Sequence, residues 1–206
     1  MIVSKFFKSG FVFAGLVLGQ LAFGASLGLD LSKSKLNWEG KKVSGAHDGE
    51  VKIKSGSVEF DGKTPKAGNI VIDLTTITNS DLKDAAYNKK LVDHLKSDDF
   101  FNVSKFPEAT VKINKIEPIK DKADEYKVTA DLTVKGKTNP IEFPATIKPV
   151  GTAYQATAEL KIDRTKWDIK YNSGKFFDIK KLGDKMINDE ISFKLDMYTQ
   201  ATKATM

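Results

Sequence analysis

The sequence predicts an all-β protein whose antiparallel strands close into a barrel of about eight strands. Three observations support this fold class. Apolar and polar residues alternate with a period of two along most of the chain. Short turns at 54–56, 61–63, 135–137 and 149–151 separate the alternating runs, which indicates antiparallel pairing. The longest run, 126–134, favours a barrel over a sandwich because closure removes exposed strand edges.

Nine segments carry the alternation along the chain. They are 36–38, 51–53, 57–61, 69–74, 111–114, 126–135, 141–147, 158–163 and 191–197. Each segment places apolar side chains on one face and mainly Lys, Asp, Glu, Asn or Thr on the other. A transmembrane barrel would turn the polar face inward. The charge on that face is too dense for a narrow lumen, so we expect the apolar face inside and the charged face in water.

Two stretches lose the alternation, and we expect them to form short helical or irregular insertions. Residues 79–99 begin with Asn79 or Ser80 as a helix cap and continue with apolar residues at a broken helical spacing. Residues 164–188 form the second insertion. Both stretches carry aromatic residues that must pack against another part of the protein.

Residues 1–24 are expected to be a cleaved signal peptide that precedes a single domain over 25–206. Lys5 and Lys8 come before an apolar run at 11–23, which is followed by a small-residue cleavage site. An uncleaved anchor is the alternative, although the run is shorter than the roughly 20 residues of a spanning helix. Removal of the two lysines lowers the net charge from +6 to +4. We therefore expect a periplasmic or secreted protein.

The composition excludes several classes of function. The chain has no cysteine, so it has neither disulfides nor thiolate metal sites. His47, in a glycine-flanked turn, and His94 are too few for a dedicated transition-metal site. Arg164 is the only arginine, whereas proteins that read nucleic acids rely on several. We therefore expect no metal, no cofactor and no nucleic-acid partner.

A catalytic centre is also not expected. His94 lies next to Asp93 and near Ser97, but closeness in sequence does not supply the geometry of a triad. The glycine pattern that surrounds the nucleophile of many hydrolases is missing from the sequence. The prediction is a protein that is not an enzyme.

Several stretches resemble one known family in their order and spacing. They are 38–41, 45–49, 56–60, 68–77, 93–103, 106–107, 130–138 and 162–164. The most specific is the run at 93–103, which reads Asp-His-Leu-Lys-Ser-Asp-Asp-Phe-Phe-Asn-Val. From Leu29 to Met197 the chain resembles the YceI-like family of exported proteins that bind lipids or polyisoprenoids. At 87–90 the chain has Tyr-Asn-Lys-Lys where many relatives have a charged pair, often with arginine, so a particular head group is not carried over.

The resemblance implies an eight-stranded, lipocalin-like antiparallel barrel with a long apolar pocket. It implies an exported binding or carrier protein for an isoprenoid, an isoprenoid quinone, or a fatty acid or amide. The alternative is a structural or stress-response interaction module of the envelope with a filled barrel. A homodimer is compatible with this fold.

The candidate ligand-binding residues are the inward-facing apolar residues of the strands and the residues of the two insertions. They are Phe60, Ile72, Phe100, Phe101, Val111, Leu132, Phe143, Leu160, Arg164, Trp167 and Phe193. The inward-facing residues would form either a pocket wall or a filled core. Phe100 and Phe101 would either close the pocket mouth or plug the barrel end. Arg164 would contact a head group, or form a salt bridge with an acid such as Asp163, or stack on an aromatic ring.

Overall fold

The computed structural model describes residues 24–201. The predicted signal peptide, apart from Gly24, lies outside this range. The strands are β1 Ala25–Gly28, β2 Lys35–Lys42, β3 Gly45–Glu50, β4 Lys52–Asp61, β5 Thr64–Asp73, β6 Glu108–Pro118, β7 Glu125–Val134, β8 Lys137–Val150, β9 Ala153–Asp163 and β10 Ile187–Tyr198. The helices are α1 Ala85–Lys96 and α2 Ile179–Leu182, with 3₁₀ turns at Leu74–Thr76, Arg164–Trp167 and Gly183–Lys185. Within this range no helix is both long and apolar enough to cross a membrane.

All ten strands form one antiparallel sheet in the order β1-β4-β5-β6-β7-β8-β9-β10-β2-β3. The sheet curls back on itself because β3 and β4 are separated by Val51 alone. The segment 45–61 is therefore one bent strand that pairs with β2 through its first half and with β5 through its second half. The predicted all-β barrel is confirmed. The structure assigns ten strands instead of eight because it splits 45–61 in two and adds the short strand β1.

Both insertions lie at the same end of the barrel. Successive strands alternate in direction, so the links 74–107 and 164–186 and the turns after β2 and β7 all meet at one end, called here the insertion end. The far end carries the turns after β4, β6 and β8. At the far end, Ile116, Val128, Ala145 and Ile147 form a small packed cluster. The larger apolar cluster occupies the insertion half.

The exterior is charged, as the alternation predicts. Lysine and glutamate side chains form salt bridges between neighbouring strands, as in Lys127–Glu142 at 2.8 Å and Lys161–Glu190 at 2.7 Å. Both pairs are well exposed, so they contribute little stability individually. Their position confirms that the apolar face points inward.

Three local predictions were wrong. Residues 54–56 do not form a turn but lie inside β4, where the register with β5 shifts between Ile53 and Ser55. Residues 45–49 belong to β3 and pair with β2 instead of forming a turn. Helix α1 is capped neither by Asn79 nor by Ser80. Its cap is Asp84, whose carboxylate accepts hydrogen bonds from the amides of residues 86 and 87.

Gly49 in β3 allows the closest approach in the barrel wall. A Cβ at this position would lie 1.9 Å from the carbonyl oxygen of Thr78 and 2.9 Å from Nε1 of Trp38. The indole nitrogen of Trp38 donates to that same carbonyl at 3.1 Å. Glycine is therefore required here by space, not by an unusual backbone angle, and it places Trp38 against the chain that leaves β5.

The ladder between β8 and β9 is incomplete. The two strands pair only from Thr146↔Thr157 to Val150↔Ala153, whereas β8 pairs with the whole length of β7, from Lys137 to Thr146. The backbone amide of Ile147 donates to the carbonyl of Asp124 on the β7 side. Backbone amides of successive residues point to opposite edges of a strand, so those of the even-numbered residues of β8 point toward β9. Pro140 and Pro144 therefore face β9 without an N–H to donate. The two prolines explain why the ladder ends at Thr146.

Amide hydrogen exchange should reveal this open seam. The carbonyl of Tyr154 accepts a hydrogen bond from the amide of Thr199 on the β10 side, so the backbone amides of the odd-numbered residues of β9 face β8. We expect the amides of Glu159 and Lys161 to exchange faster than those of Ala158 and Leu160, because they lack ladder partners. Native-state exchange followed by NMR tests this, with Thr157, which pairs with Thr146, as the protected control. Equal protection of the amides of Glu159 and Lys161 and those of Ala158 and Leu160 would contradict it.

Candidate functional site

A cavity of about 200 Å³ lies in the insertion half of the barrel. Its wall is almost entirely apolar and is formed by residues from eight of the ten strands, from α1 and from the 3₁₀ turn after β9. The interior is therefore not completely filled by side chains. The far end is closed by the packed cluster around Ile116 and Val128.

The strand wall is built from residues that face one another across the ladders. Phe193 of β10 lies opposite Leu160 of β9 on one side and Trp38 of β2 on the other. Val111 of β6 lies opposite Leu132 of β7. Phe193, Leu160 and Val111 are only half-buried although they point inward, because part of their surface faces the empty cavity.

Helix α1 and the loop that follows it cover the insertion end. Leu91 and Leu95 of α1 face the cavity together with Phe100 and Phe101. Phe100 is buried, whereas Phe101 is half-buried. The backbone amide of Phe101 donates to the carbonyl of Leu95 at 3.1 Å, which holds the loop against the helix. These two phenylalanines therefore close part of this end of the cavity.

An aromatic cluster joins the two insertions. The imidazole of His94 in α1 lies edge-on to the rings of Phe100 and Tyr171, with centroid distances of 4.9 and 4.7 Å. Its Nε2 lies 2.9 Å from a carboxylate oxygen of Asp99. The contact with Tyr171 holds α1 against the segment after β9. His94 therefore connects the two parts of the cover.

The arrangement of these side chains is not that of a catalytic triad. The hydroxyl of Ser97 donates to the backbone carbonyl of His94 at 2.8 Å, not to the imidazole. Asp93 forms an ion pair with Lys89 on the surface of the helix. Within residues 24–201 no group of three or more His, Asp or Glu side chains is arranged to hold a metal ion.

Arg164 is buried in the wall of the cavity and binds the backbone. Its guanidinium donates to the carbonyls of Ile169 at 2.8 Å, Asn188 at 3.0 Å and Ile187 at 3.1 Å. Asp189, at 3.4 Å, supplies the countercharge. Burial lowers the pKa of Arg164, and the neighbouring carboxylates oppose that effect. Its donors are directed at the protein, so the structure favours a role in holding the insertion over contact with a head group.

Asp163 pairs with a different cation than the sequence suggested. Its carboxylate accepts from Lys175 at 2.6 Å and from the amide and hydroxyl of Thr165 at 3.0 and 2.6 Å. Burial, the largest effect, raises the pKa of Asp163, but these hydrogen bonds outweigh it and the net pKa is lowered. Asp163 thereby caps the 3₁₀ turn that carries Arg164 and Trp167.

Trp167 forms the floor of this insertion. It is 1% exposed, and its indole nitrogen donates to the carbonyl of Leu132 at 2.9 Å. The bond joins the insertion after β9 to strand β7 on the neighbouring part of the wall. Since its polar atom is satisfied by the protein, Trp167 offers the cavity an apolar ring face.

The polar part of the cavity lies at its rim. Lys42 continues the inward-facing series of Leu36 and Trp38 in β2, but it lies at the strand end and is exposed. Asn188 is also exposed and contacts the cavity. The cavity therefore reaches the surface between the hairpin of β2 and β3 and the start of β10. His47 lies on the same side.

His47 is held in place by a carboxylate. Its Nδ1 lies 2.9 Å from Asp81, which also accepts hydrogen bonds from Asn79 and from the amide of Asp48. Burial, the largest effect, raises the pKa of Asp81, but the three hydrogen bonds outweigh it and lower the net pKa. His47 is therefore a fixed residue of strand β3 at the cavity rim.

Ten of the eleven residues proposed from the sequence lie on the cavity wall. They are Ile72, Phe100, Phe101, Val111, Leu132, Phe143, Leu160, Arg164, Trp167 and Phe193. Phe60 is the exception, because it lies near the far end, where its ring packs on Tyr154 with a centroid distance of 4.5 Å. Alternation shows which face of a strand is inward but not how deep along the barrel axis a residue lies.

Sequence reasoning missed several residues of the wall. Leu36, Trp38 and Ile162 lie on segments whose alternation was recognised, so the same pattern would have found them. Leu91 and Ile169 lie in the insertions, where no period indicates the inward face. Their contribution depends on how the insertions fold over the barrel.

A second depression lies in the barrel wall where β8 and β9 separate. It has a volume of about 480 Å³ and is lined by Glu125, Pro144, Ala145, Thr146, Thr157, Ala158, Glu159, Lys194 and Leu195. It is open to water and flanked by the exposed ion pair Lys194–Glu159. The apolar cavity is therefore the better candidate site.

Fold and site together define a lipocalin-like class of protein, an antiparallel barrel closed at one end with an apolar cavity that opens at the other. The chain belongs to the YceI family, because the model of the YceI-like domain matches residues 28–199. It is similar to protein YceI of Escherichia coli O157:H7, with 35% identity over 97 residues, or 47% of each chain. Protein YceI of Salmonella arizonae is 36% identical over 104 residues, or 50% of each chain. The chain thus spans about half the length of these curated relatives.

Solved structures have the same fold. BcnA of Burkholderia cenocepacia is 26% identical, with a TM-score of 0.66 over 84% of this chain and 99% of that one. A polyisoprenoid binding domain from Saccharophagus degradans, implicated in plant cell wall breakdown, is 16% identical, with a TM-score of 0.64 over 87% and 99%. The YCEI protein of Campylobacter jejuni is 21% identical, with a TM-score of 0.53 over 74% and 85%. The last two likenesses concern the fold alone.

Substitution of Arg164 should destabilise the protein strongly. Arg164→Met leaves the carbonyls of Ile169, Ile187 and Asn188, together with Asp189, without their donor, and we expect a loss of at least about 3 kcal/mol in the free energy of unfolding. Arg164→Lys should lose most of the same amount, since one ammonium cannot replace the planar guanidinium. Urea unfolding measures both. The control is Lys166→Met in the same turn, whose exposed side chain should matter by less than about 0.5 kcal/mol.

Proposed function

We propose that this protein binds or carries an extended apolar ligand, held in the cavity of its barrel. The observation that supports this most directly is the unfilled apolar cavity of about 200 Å³ with an opening at the insertion end. An isoprenoid chain, an isoprenoid quinone, and a fatty acid or amide all have the required shape and polarity. The polyisoprenoid binding domain with the same fold supports the first of these.

The energetics of such binding rest on the apolar wall. Burial of one methylene contributes about 0.8 kcal/mol, so a chain of several isoprene units gains enough to offset the loss of its freedom. The polar atoms of Arg164 and Trp167 are already bound to backbone carbonyls. The wall would therefore select for length and apolar character more than for a particular functional group.

The rim offers the contacts for a head group. Lys42 and Asn188 are exposed where the cavity reaches the surface, and His47 lies beside them. A ligand whose chain fills the cavity would place its polar end here. The ten wall residues predicted from the sequence are proposed to contact the apolar chain of the ligand, and Phe60 is proposed only as a packing residue.

We further propose that the protein works outside the cytoplasm and binds its ligand without transforming it. The signal-like composition of residues 1–24 supports export. The bond from Ser97 to a backbone carbonyl supports binding over hydrolysis. We therefore expect no activity in a hydrolase assay from the unaltered protein, and His94→Ala should alter only the contact between the two insertions.

Native mass spectrometry of protein purified from its own host tests the proposal. We expect a population heavier than the apoprotein by the mass of one amphiphile, which organic extraction removes and lipid analysis identifies. Protein that contains no lipid, and that takes up neither a prenyl quinone nor a fatty acid when they are supplied, would contradict the proposed function.

Filling the cavity should abolish occupancy. Leu160→Trp adds an indole to the wall opposite Phe193, and we expect ligand occupancy to fall at least about tenfold while the circular dichroism spectrum is unchanged. The control is Phe60→Leu, which should lower stability by about 1–2 kcal/mol and leave occupancy unchanged. An unchanged occupancy in Leu160→Trp would place the ligand outside the barrel.

A further inference from the structure

We propose that the insertion end docks on an anionic lipid surface, with four exposed apolar residues entering the interface. These residues, called here the docking patch, are Val43, Phe176, Phe177 and Ile179. The proposal deepens the proposed function, on which it rests for its meaning, because it states where an amphiphilic ligand would enter or leave. The vesicle experiment below measures docking independently of ligand.

The docking patch is unusually exposed for large apolar side chains. Phe176 is 49% exposed, Phe177 50%, Val43 56% and Ile179 59%. In residues 24–201 only three other large apolar or aromatic side chains are comparably exposed. They are Leu31 and Val150, which lie toward the far end, and Tyr87 of α1. Grouped apolar exposure of this kind marks an interaction surface, whereas single exposed residues do not.

The members of the docking patch are neighbours in space. The amide of Val43, at the tip of the β2–β3 hairpin, donates to the carbonyl of Met186 at 3.2 Å. A Cβ on Gly174 would lie 3.0 Å from Sδ of Met186 and 3.4 Å from Cγ1 of Ile179. Met186 and Gly174 thus connect the hairpin to the loop that carries the phenylalanines.

Positive charge surrounds the docking patch. Segment 170–186 contains five lysines and only two acids, Asp178 and Asp184. The carboxylate of Asp178 is used to cap α2 through the amide of Lys180. The ammonium of Lys170 lies 4.9 Å from the ring centroid of Phe176. The hairpin adds Lys42 and also Lys41, which is paired with Glu39, so cations lie beside the apolar residues on two sides.

This combination of chemistry favours a lipid surface. Aromatic and aliphatic side chains enter the boundary between head groups and acyl chains, while lysines are attracted to anionic head groups, at about 1 kcal/mol each. A second copy of the chain would bring the same lysines together, and their repulsion opposes self-association. Lys170 is already paired with Asp168 and Lys175 with Asp163, so the lysines at 180, 181 and 185 carry most of the attraction.

The docking patch lies at the end where the cavity opens. Lys42, next to Val43, lies on the cavity rim, and Ile187, next to Met186, lies on the cavity wall. A bilayer held against the patch would face this opening. An apolar chain could then pass between membrane and cavity with less exposure to water than if it crossed solution.

Vesicle flotation tests the proposal on the full mature chain. The vesicles contain phosphatidylglycerol and phosphatidylethanolamine, and neutral vesicles of phosphatidylcholine serve as the comparison. We expect binding to the anionic vesicles that weakens at least about fivefold between 50 and 500 mM salt. Phe176→Ser with Phe177→Ser should reduce binding at least about tenfold. Lys180→Gln with Lys181→Gln should reduce it about tenfold at low salt.

The far end supplies matched controls. Leu31→Ser with Val150→Ser removes two exposed apolar residues, and Lys63→Gln with Lys120→Gln removes two exposed lysines. Both control variants should bind like the unaltered protein. Equal loss in the control variants, or binding to neutral vesicles that is just as strong, would overturn the proposal. So would vesicle binding that is unaffected by the patch variants, or a change in oligomeric state as their only effect.

The two proposals can fail separately. Loss of vesicle binding in Phe176→Ser with Phe177→Ser, measured on delipidated protein, concerns the surface alone. Ligand uptake from detergent solution by the same variant concerns the cavity alone and should be unchanged. Intact uptake without any vesicle binding would overturn only the docking proposal, and vesicle binding without any uptake would overturn only the proposed function.

Discussion

The guanidinium of Arg164 lies inside the insertion end with three backbone carbonyls and the carboxylate of Asp189 around it. It follows strand β9 directly and grips the residues that begin β10, so both ends of the second insertion are fixed at one point. Trp167 adds a bond from the same turn to Leu132 in β7. This insertion supplies part of the cavity wall and three residues of the docking patch. The position of both therefore depends on the contacts of the buried Arg164 guanidinium with the backbone.

The interior of the barrel is filled by side chains at the far end but not at the insertion end. At the far end, Ile116, Val128, Ala145 and Ile147 pack with the rings of Tyr126 and Tyr154 and fill the interior. At the insertion end, α1 and the segment after β9 lie over the apolar faces of the strands and do not fill the space between them. The contact of His94 with Tyr171 joins the two parts of that cover. A cavity remains because the two insertions pack against the strand ends and against each other, and not into the space between the strands.

The barrel wall also has one weak line. Pro140 and Pro144 remove donors from the edge of β8 that faces β9, and the ladder stops at Thr146. Ile141, Phe143, Leu160 and Ile162 flank this line and line the cavity as well. This part of the cavity wall is therefore held by fewer ladder pairs than the part between β7 and β8.

Alternation by itself determined the β class, the charged exterior and which side chains point inward, because a strand places successive residues on opposite faces whatever its neighbours are. It therefore placed Phe193, Leu160 and Val111 on the inner face from the sequence alone. Depth along the axis was not determined, so Phe60 was assigned to the pocket although it packs near the far end. The sequence equally left open whether Arg164 contacts a ligand, since a lone cation can serve either purpose. Only the tertiary structure decided these points, because the backbone carbonyls that surround Arg164 and the cover over the cavity come from segments far apart in the chain.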